Sequence, residues 1–142
     1  MKKIHTDIEI NAPAKKIWSI LMNFEAYKNW NPFIKTIKGD QKVGARFYVT
    51  LHPPDGKPMQ IKPKCRTLYK DAQLSWKGHL LFPGIFDGEH FFEIKKITDD
   101  RCLFVHRENF GGILVPFVGA ILKKTKAGFE AMNRELKTLA EK

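Results

Sequence analysis

Apolar and polar residues alternate from Ile4 to Ile10, with Ile4, Thr6, Ile8 and Ile10 on one face and His5, Asp7 and Glu9 on the other. That is the period of a half-buried β-strand. Asn11-Ala12-Pro13 ends it, and Pro13 opens a helix whose inner stripe is Ala14, Ile17, Trp18 and Leu21, since proline at a first helical position loses no needed N–H. A second short helix is expected over Phe24 to Tyr27, capped by Asn23 and broken by Trp30-Asn31-Pro32.

From Phe33 to Phe110 the period is that of strands. Phe47, Val49 and Leu51 alternate with Arg46, Tyr48 and Thr50, and Pro53-Pro54-Asp55-Gly56 is a turn. Ile61, Pro63, Cys65 and Thr67 share one face, with a bulge expected at Pro63 because proline cannot donate to a sheet ladder. Leu74, Trp76, Gly78 and Leu80 form the next inner face, followed by His90, Phe92 and Ile94, a turn at Thr98-Asp99-Asp100 and a return from Cys102 to Asn109.

The closing stretch Gly111 to Ala140 reads as one long helix. At 100° per residue Leu114, Val118, Ile121, Leu122, Thr125, Phe129, Met132, Leu136 and Leu139 fall within an arc of about 100°, with Lys123, Lys126, Glu130, Arg134 and Lys137 opposite. Gly128 borders the stripe, where it admits close approach of another backbone.

Composition narrows the class. With 142 residues, 43% of them hydrophobic and 28% charged, the chain is expected to be one folded domain over residues 1–142. Eleven phenylalanines suit either a core or an apolar pocket. No apolar run approaches the roughly 20 residues of a membrane span, and the polar start argues for a cytoplasmic protein. The two cysteines, Cys65 and Cys102, have neither disulfide nor zinc spacing and read as buried thiols. The net charge of +10 is scattered, without a basic block or recognition motif, so no specific nucleic-acid partner is expected.

The element order resembles the START-like or SRPBCC superfamily, the helix-grip fold shared with plant pollen allergens and polyketide cyclase/dehydrase proteins. The carriers are Ile8-Glu9-Ile10-Asn11-Ala12-Pro13 with Ile17-Trp18, Trp30-Asn31-Pro32-Phe33, Val43-Gly44, and Phe86-Asp87-Gly88-Glu89-His90. They continue in His106-Arg107-Glu108-Asn109-Phe110, Gly112-Ile113-Leu114-Val115-Pro116 and Gly128-Phe129-Glu130-Ala131-Met132-Asn133. The chain looks like a bacterial ligand-binding branch. The resemblance implies an α+β fold: a curved seven-stranded antiparallel sheet around the long C-terminal helix, with two short helices between strands 1 and 2. One such fold carries many functions.

A helix laid across a concave sheet encloses a pocket with mainly apolar walls. Its expected ligand-binding residues are Trp30, Phe47, Val49, Cys65, Trp76, His90 and Phe92 from the earlier segments. The helix adds Leu114, Val118, Leu122, Thr125, Phe129 and Met132. The apolar connection Leu80 to Phe86, with Phe82 and Phe86, is either a lip over the mouth or a loop packed on the core with Trp30 and Phe33.

On the returning strand either Cys102, Phe104, His106 and Glu108 or Leu103, Val105 and Arg107 face inward, depending on turn length. The resemblance favours the first set, because relatives place apolar residues at the position of Phe104. His90, His106 and Glu108 then share a wall, with Glu108 accepting a hydrogen bond and an imidazole near its ordinary pKa of about 6.5 able to act as a base. The same residues equally suit a buried network that orients a ligand.

No metal and no cofactor is expected. The reading is a binding protein for a small apolar ligand, lipid-, sterol- or polyketide-like, acting as a monomer or homodimer. Its alternatives are a cyclase/dehydratase using the His/Glu wall, and a chaperone-associated module using Lys62, Lys64 and Arg66.

Overall fold

A computed structural model describes residues 2–80 and 83–142; the Leu80 side chain, Leu81 and Phe82 lie outside the described residues, so the lip or packed loop expected there is followed only at its ends. The strands are β1 (Lys2–Ile10), β2 (Ile34–Lys38), β3 (Tyr48–Leu51), β4 (Met59–Ile61), β5 (Lys64–Tyr69), β6 (Gln73–Leu80), β7 (Phe86–Thr98) and β8 (Arg101–Gly111). The α-helices are α1 (Ala14–Met22), α2 (Tyr27–Trp30) and α3 (Gly119–Ala140). All pairings are antiparallel: β1-β8-β7-β6-β5 form one sheet and β2-β3-β4 a second. With α3 across the sheet, this is the helix-grip architecture.

Eight strands replace the expected seven, and Pro63 is the reason. Instead of bulging one strand, it sits between β4 and β5, which belong to different sheets. Unable to donate, Pro63 still accepts from Phe47 N–H at 2.8 Å, and Cys65 N–H donates to Ala45 O at 2.9 Å. These bonds join the two sheets at the bend. The ladder irregularity falls one step later, between Cys65 and Thr67.

The long helix is also shorter than its stripe. β8 runs to Gly111, a 3-10 turn covers Val115–Phe117, and α3 begins at Gly119. Gly112 takes φ +109°, and a Cβ there would strike Ile85 O. The next amides donate outward, Ile113 N–H to Gly84 O and Leu114 N–H to Ile85 O, so the segment is tied to the β6–β7 connection instead of coiling.

At the N-terminal end, Phe24–Ala26 is a 3-10 turn that runs into α2, and Asn23 makes no side-chain cap. Asn31 does the local satisfying: its Oδ1 accepts from Phe33 N–H and Ile34 N–H.

Phe33, Phe47, Phe92, Phe104 and Phe129 are fully buried with Trp76 and Tyr27, each phenylalanine contributing about 1.5–3 kcal/mol through burial. Gly128 admits a ring and not a backbone: Phe33 lies over it, edge-on to Phe129 at 5.5 Å. Cys65 and Cys102 are both buried free thiols.

Candidate functional site

Inward side chains fill the sheet's concave face as far as Trp76 and His90, which stack at 4.7 Å between centroids. One step on, β6 and β7 both present glycine, Gly78 paired with Gly88. Two adjacent missing side chains leave a cavity of about 350 Å³. Leu114, Val118, Leu122 and Thr125 cover it, Phe86 and Phe110 close the sheet side, and Leu51, Pro53, Met59 and Ile61 close the other. Lys124 Nζ donates to Asp55 O at 3.1 Å, tying α3 to the turn between β3 and β4.

Among the described residues of this wall the least exposed titratable group is Glu108, whose side chain is 16% exposed. The hairpin of β7 and β8 pairs His90 with Glu108 and Phe92 with His106, so both imidazoles and the carboxyl share the inner face. Glu108 Oε1 lies 3.4 Å from His90 Nδ1, and its Oε2 occupies the space a Cβ on Gly88 would fill.

Beneath it runs a buried polar chain. His90 Nε2 and His106 Nε2 are 2.8 Å apart, and His106 Nδ1 is 2.9 Å from Asn133 Oδ1. Asn133 Nδ2 donates to Thr6 Oγ1 at 2.9 Å, and Thr6 donates to the His106 carbonyl at 2.7 Å. Phe129 stacks flat on His106 at 3.9 Å and seals the chain from α3. Burial in low dielectric disfavours each charged form. It pushes Glu108 up to about 8 and His90 down to about 3. His106 is lowered by burial and by His90, against a smaller opposing effect of Asn133. Both shifts run toward the neutral forms, away from an imidazole base near 6.5 and an ionised, accepting Glu108.

Of the residues expected to bind ligand, Trp76, Phe86, Glu108, Leu114, Val118, Leu122 and Thr125 line the cavity. Phe47, Val49, Cys65, Phe92, Phe104, Phe129 and Met132 are buried but off its wall, as are His90 and His106, because aromatic packing fills that end of the sheet. Trp30 is half-buried against Tyr27, with ring centroids 5.4 Å apart. Phe82 lies outside the described residues.

Sequence reading missed the Gly78–Gly88 pair, Phe110, and the hairpin residues Leu51, Pro53, Met59 and Ile61. Glycine at an inward strand position was the available signal. It also left Asn133, and Thr6 on its inner face, out of the site, although a polar residue on an apolar stripe demands a partner. Lys62, named above with Lys64 and Arg66 for a chaperone-associated module, stands at the cavity rim, as does His79, which pairs with Asp87 at 2.7 Å. Among the described residues no three His, Cys, Asp or Glu converge as a metal set. Nor, among them, is any helix long and apolar enough to cross a membrane.

A family profile described as polyketide cyclase / dehydrase and lipid transport matches residues 1–141. No curated protein matches the chain in sequence. Among solved structures, the chain is similar to norcoclaurine synthase from Thalictrum flavum, with 17% identity, 98% of this chain and 93% of that one covered, and a TM-score of 0.73. It is similar to the aromatase/cyclase Zhui from a Streptomyces species at 11% identity, 99% and 93% coverage and TM-score 0.79. A START superfamily protein from Mycobacterium smegmatis aligns at 19% identity, 96% and 98% coverage and TM-score 0.73. At these identities the likeness is one of fold.

Proposed function

The chain belongs to the polyketide cyclase/dehydrase and lipid transport family, whose roles are ligand binding or cyclase-type chemistry, and we propose that it binds a small, largely apolar molecule between sheet and α3. The observation that carries this reading is the cavity of about 350 Å³ left by Gly78 and Gly88, apolar on most of its wall and holding one partly buried carboxyl. Burying apolar ligand surface supplies affinity at about 25 cal/mol per Å² before the costs of association, and the carboxyl orients the ligand.

Naphthalene tests the cavity directly. Saturable binding with a rise in Tm is expected for the natural chain. Gly78→Leu should abolish both, because a Cβ at position 78 meets only Pro63 at an ordinary 3.5 Å and the longer side chain fills the space. Absence of any stabilisation by saturating apolar probes overturns the reading.

The neutral Glu108 carboxyl also favours a second reading, a cyclase- or dehydratase-type enzyme with Glu108 as general acid, since a proton donor is what loss of a hydroxyl group requires. In that case Glu108→Gln abolishes turnover of a polyketide-like substrate while the fold survives. Equal turnover by the variant removes this reading.

A further inference from the structure

The polar chain under the cavity has a direction, and its far end sets it. The His106 backbone carbonyl can only accept, so the single Thr6 hydroxyl hydrogen is committed to it across 2.7 Å. Thr6 Oγ1 therefore accepts from Asn133, which turns the amide nitrogen to Thr6 and the amide oxygen to His106 Nδ1. That ring nitrogen must carry hydrogen. In a neutral imidazole the other nitrogen is then bare, so His106 Nε2 accepts and His90 Nε2, 2.8 Å away, donates. A neutral His90 has a bare Nδ1 by the same rule, and the atom facing it at 3.4 Å is Glu108 Oε1. His90, His106 and Asn133 donate toward Thr6, and a protonated Glu108 would be the next donor in line.

Glu108 has two oxygens with different surroundings. Oε1 faces the bare His90 nitrogen. Oε2 lies over Gly88, a residue of the cavity wall, in the space left by the missing Cβ. A carboxylic acid that gives its proton on the Oε1 side presents a carbonyl-type oxygen on the other. Hydrogen bonds in series polarise one another, so a Glu108 proton turned toward His90 would leave Oε2 the stronger acceptor.

Resting on the binding reading above, we propose that the chain holds Glu108 as a protonated acid whose Oε2 accepts a hydrogen bond from the ligand, so that the molecule taken up is an apolar body bearing a neutral hydroxyl, an alcohol or phenol. The ligand hydroxyl becomes the sixth donor of one unidirectional series ending at the His106 carbonyl. Thr6, Asn133, His106 and His90 are positioning residues: they touch no ligand and fix which Glu108 oxygen carries hydrogen. The series ends on a backbone carbonyl and a committed hydroxyl, with no further donor behind them, so it orients a proton instead of conducting one.

Three probes of nearly one shape separate this proposal from the reading beneath it: naphthalene, 2-naphthol and 2-methoxynaphthalene, measured by titration calorimetry at pH 6.5. All three should bind, with 2-naphthol about threefold to tenfold tighter than the methyl ether, the gain of one net neutral hydrogen bond. Glu108→Gln should keep that preference, because the amide reproduces a protonated acid, N–H toward His90 and C=O toward the cavity. Glu108→Leu should abolish the preference while all three still bind.

Equal affinity of naphthol and ether, or loss of the preference in Glu108→Gln, overturns the proposal and leaves the binding reading standing. Failure of all three probes overturns both. The tautomers are read independently from ¹⁵N chemical shifts of the two imidazoles. His90 protonated at Nε2 and His106 at Nδ1 are expected, and the reverse assignment or an imidazolium at pH 6.5 overturns the proposal.

Discussion

The carboxyl of Glu108 occupies the space that a side chain on Gly88 would fill, so the acid on the cavity wall exists in its place only because its diagonal neighbour on β7 is glycine. Cross-strand neighbours on one sheet face are close enough for a single methyl to displace the other's side chain.

Gly88→Ala tests this coupling. The new Cβ overlaps Oε2 and forces Glu108 off its position over the wall. The displaced atom is the free end of a flexible side chain beside a cavity, so the shift costs little stability. The urea midpoint should stay close to that of the natural chain, while the preference for 2-naphthol over its methyl ether should disappear even where naphthalene still binds. An unchanged preference would show that the carboxyl is placed by other contacts.

Stability should pass through a maximum near pH 6.5. Folded Glu108 keeps its proton up to about 8, whereas the unfolded carboxyl releases it near 4.5. The folded state thus binds more protons across that window, and stability falls as pH rises through it. His90 works oppositely: its folded value is about 3 against an ordinary 6.5, so the unfolded state binds more protons there and stability rises with pH. His106 shifts in the same direction as His90. Two histidines outweigh one carboxyl up to 6.5, and above it Glu108 acts alone. Tm against pH should rise to about 6.5 and decline toward 8, and Glu108→Gln should remove the alkaline decline. A decline unchanged in the variant would locate its origin elsewhere.

Gly128→Ala should destabilise the protein although alanine is the better helix former by about 1 kcal/mol. The added methyl falls inside the Phe33 ring, which is fully buried and edge-on to Phe129. A net loss of about 1–2 kcal/mol in thermal or urea melts is expected, the overpacking cost less the helix gain. A stabilised variant would mean that Phe33 moves aside freely.

Much of this was legible in the chain. Alternation placed Thr6 with Ile4 and Ile10 on an inner face, and His90 with Phe92, because strand periodicity is a local property of backbone geometry. The resemblance favoured the register that brings His106 and Glu108 inward; the two-residue turn Asp99-Asp100 pairs Thr98 with Arg101, and the irregularity between Lys96 and Thr98, not the turn length, shifts the ladder to the register that sets His90 opposite Glu108. Pro63 announced an interruption, since a missing N–H is visible in one letter. Whether the interruption became a bulge or a change of sheet depended on what Ala45 and Phe47 offered as partners from another segment. The stripe from Leu114 likewise could not show that Gly112 and the backbone of Gly84 and Ile85 would hold its first residues out of the helix.

The sequence alone determined most of the elements and their buried faces, because periodicity and turn chemistry act within a few residues, and its resemblance to a known superfamily supplied the kind of fold. Tertiary structure decided where the side chains run out and which polar atoms meet. Gly78 and Gly88 make a cavity only when β6 and β7 lie in the register that sets them side by side. Thr6, His90, His106 and Asn133 come from β1, β7, β8 and α3, and their protons acquire one direction only when those four elements pack together. Contacts between segments so far apart in the chain follow from the closing of the fold, which no local pattern encodes.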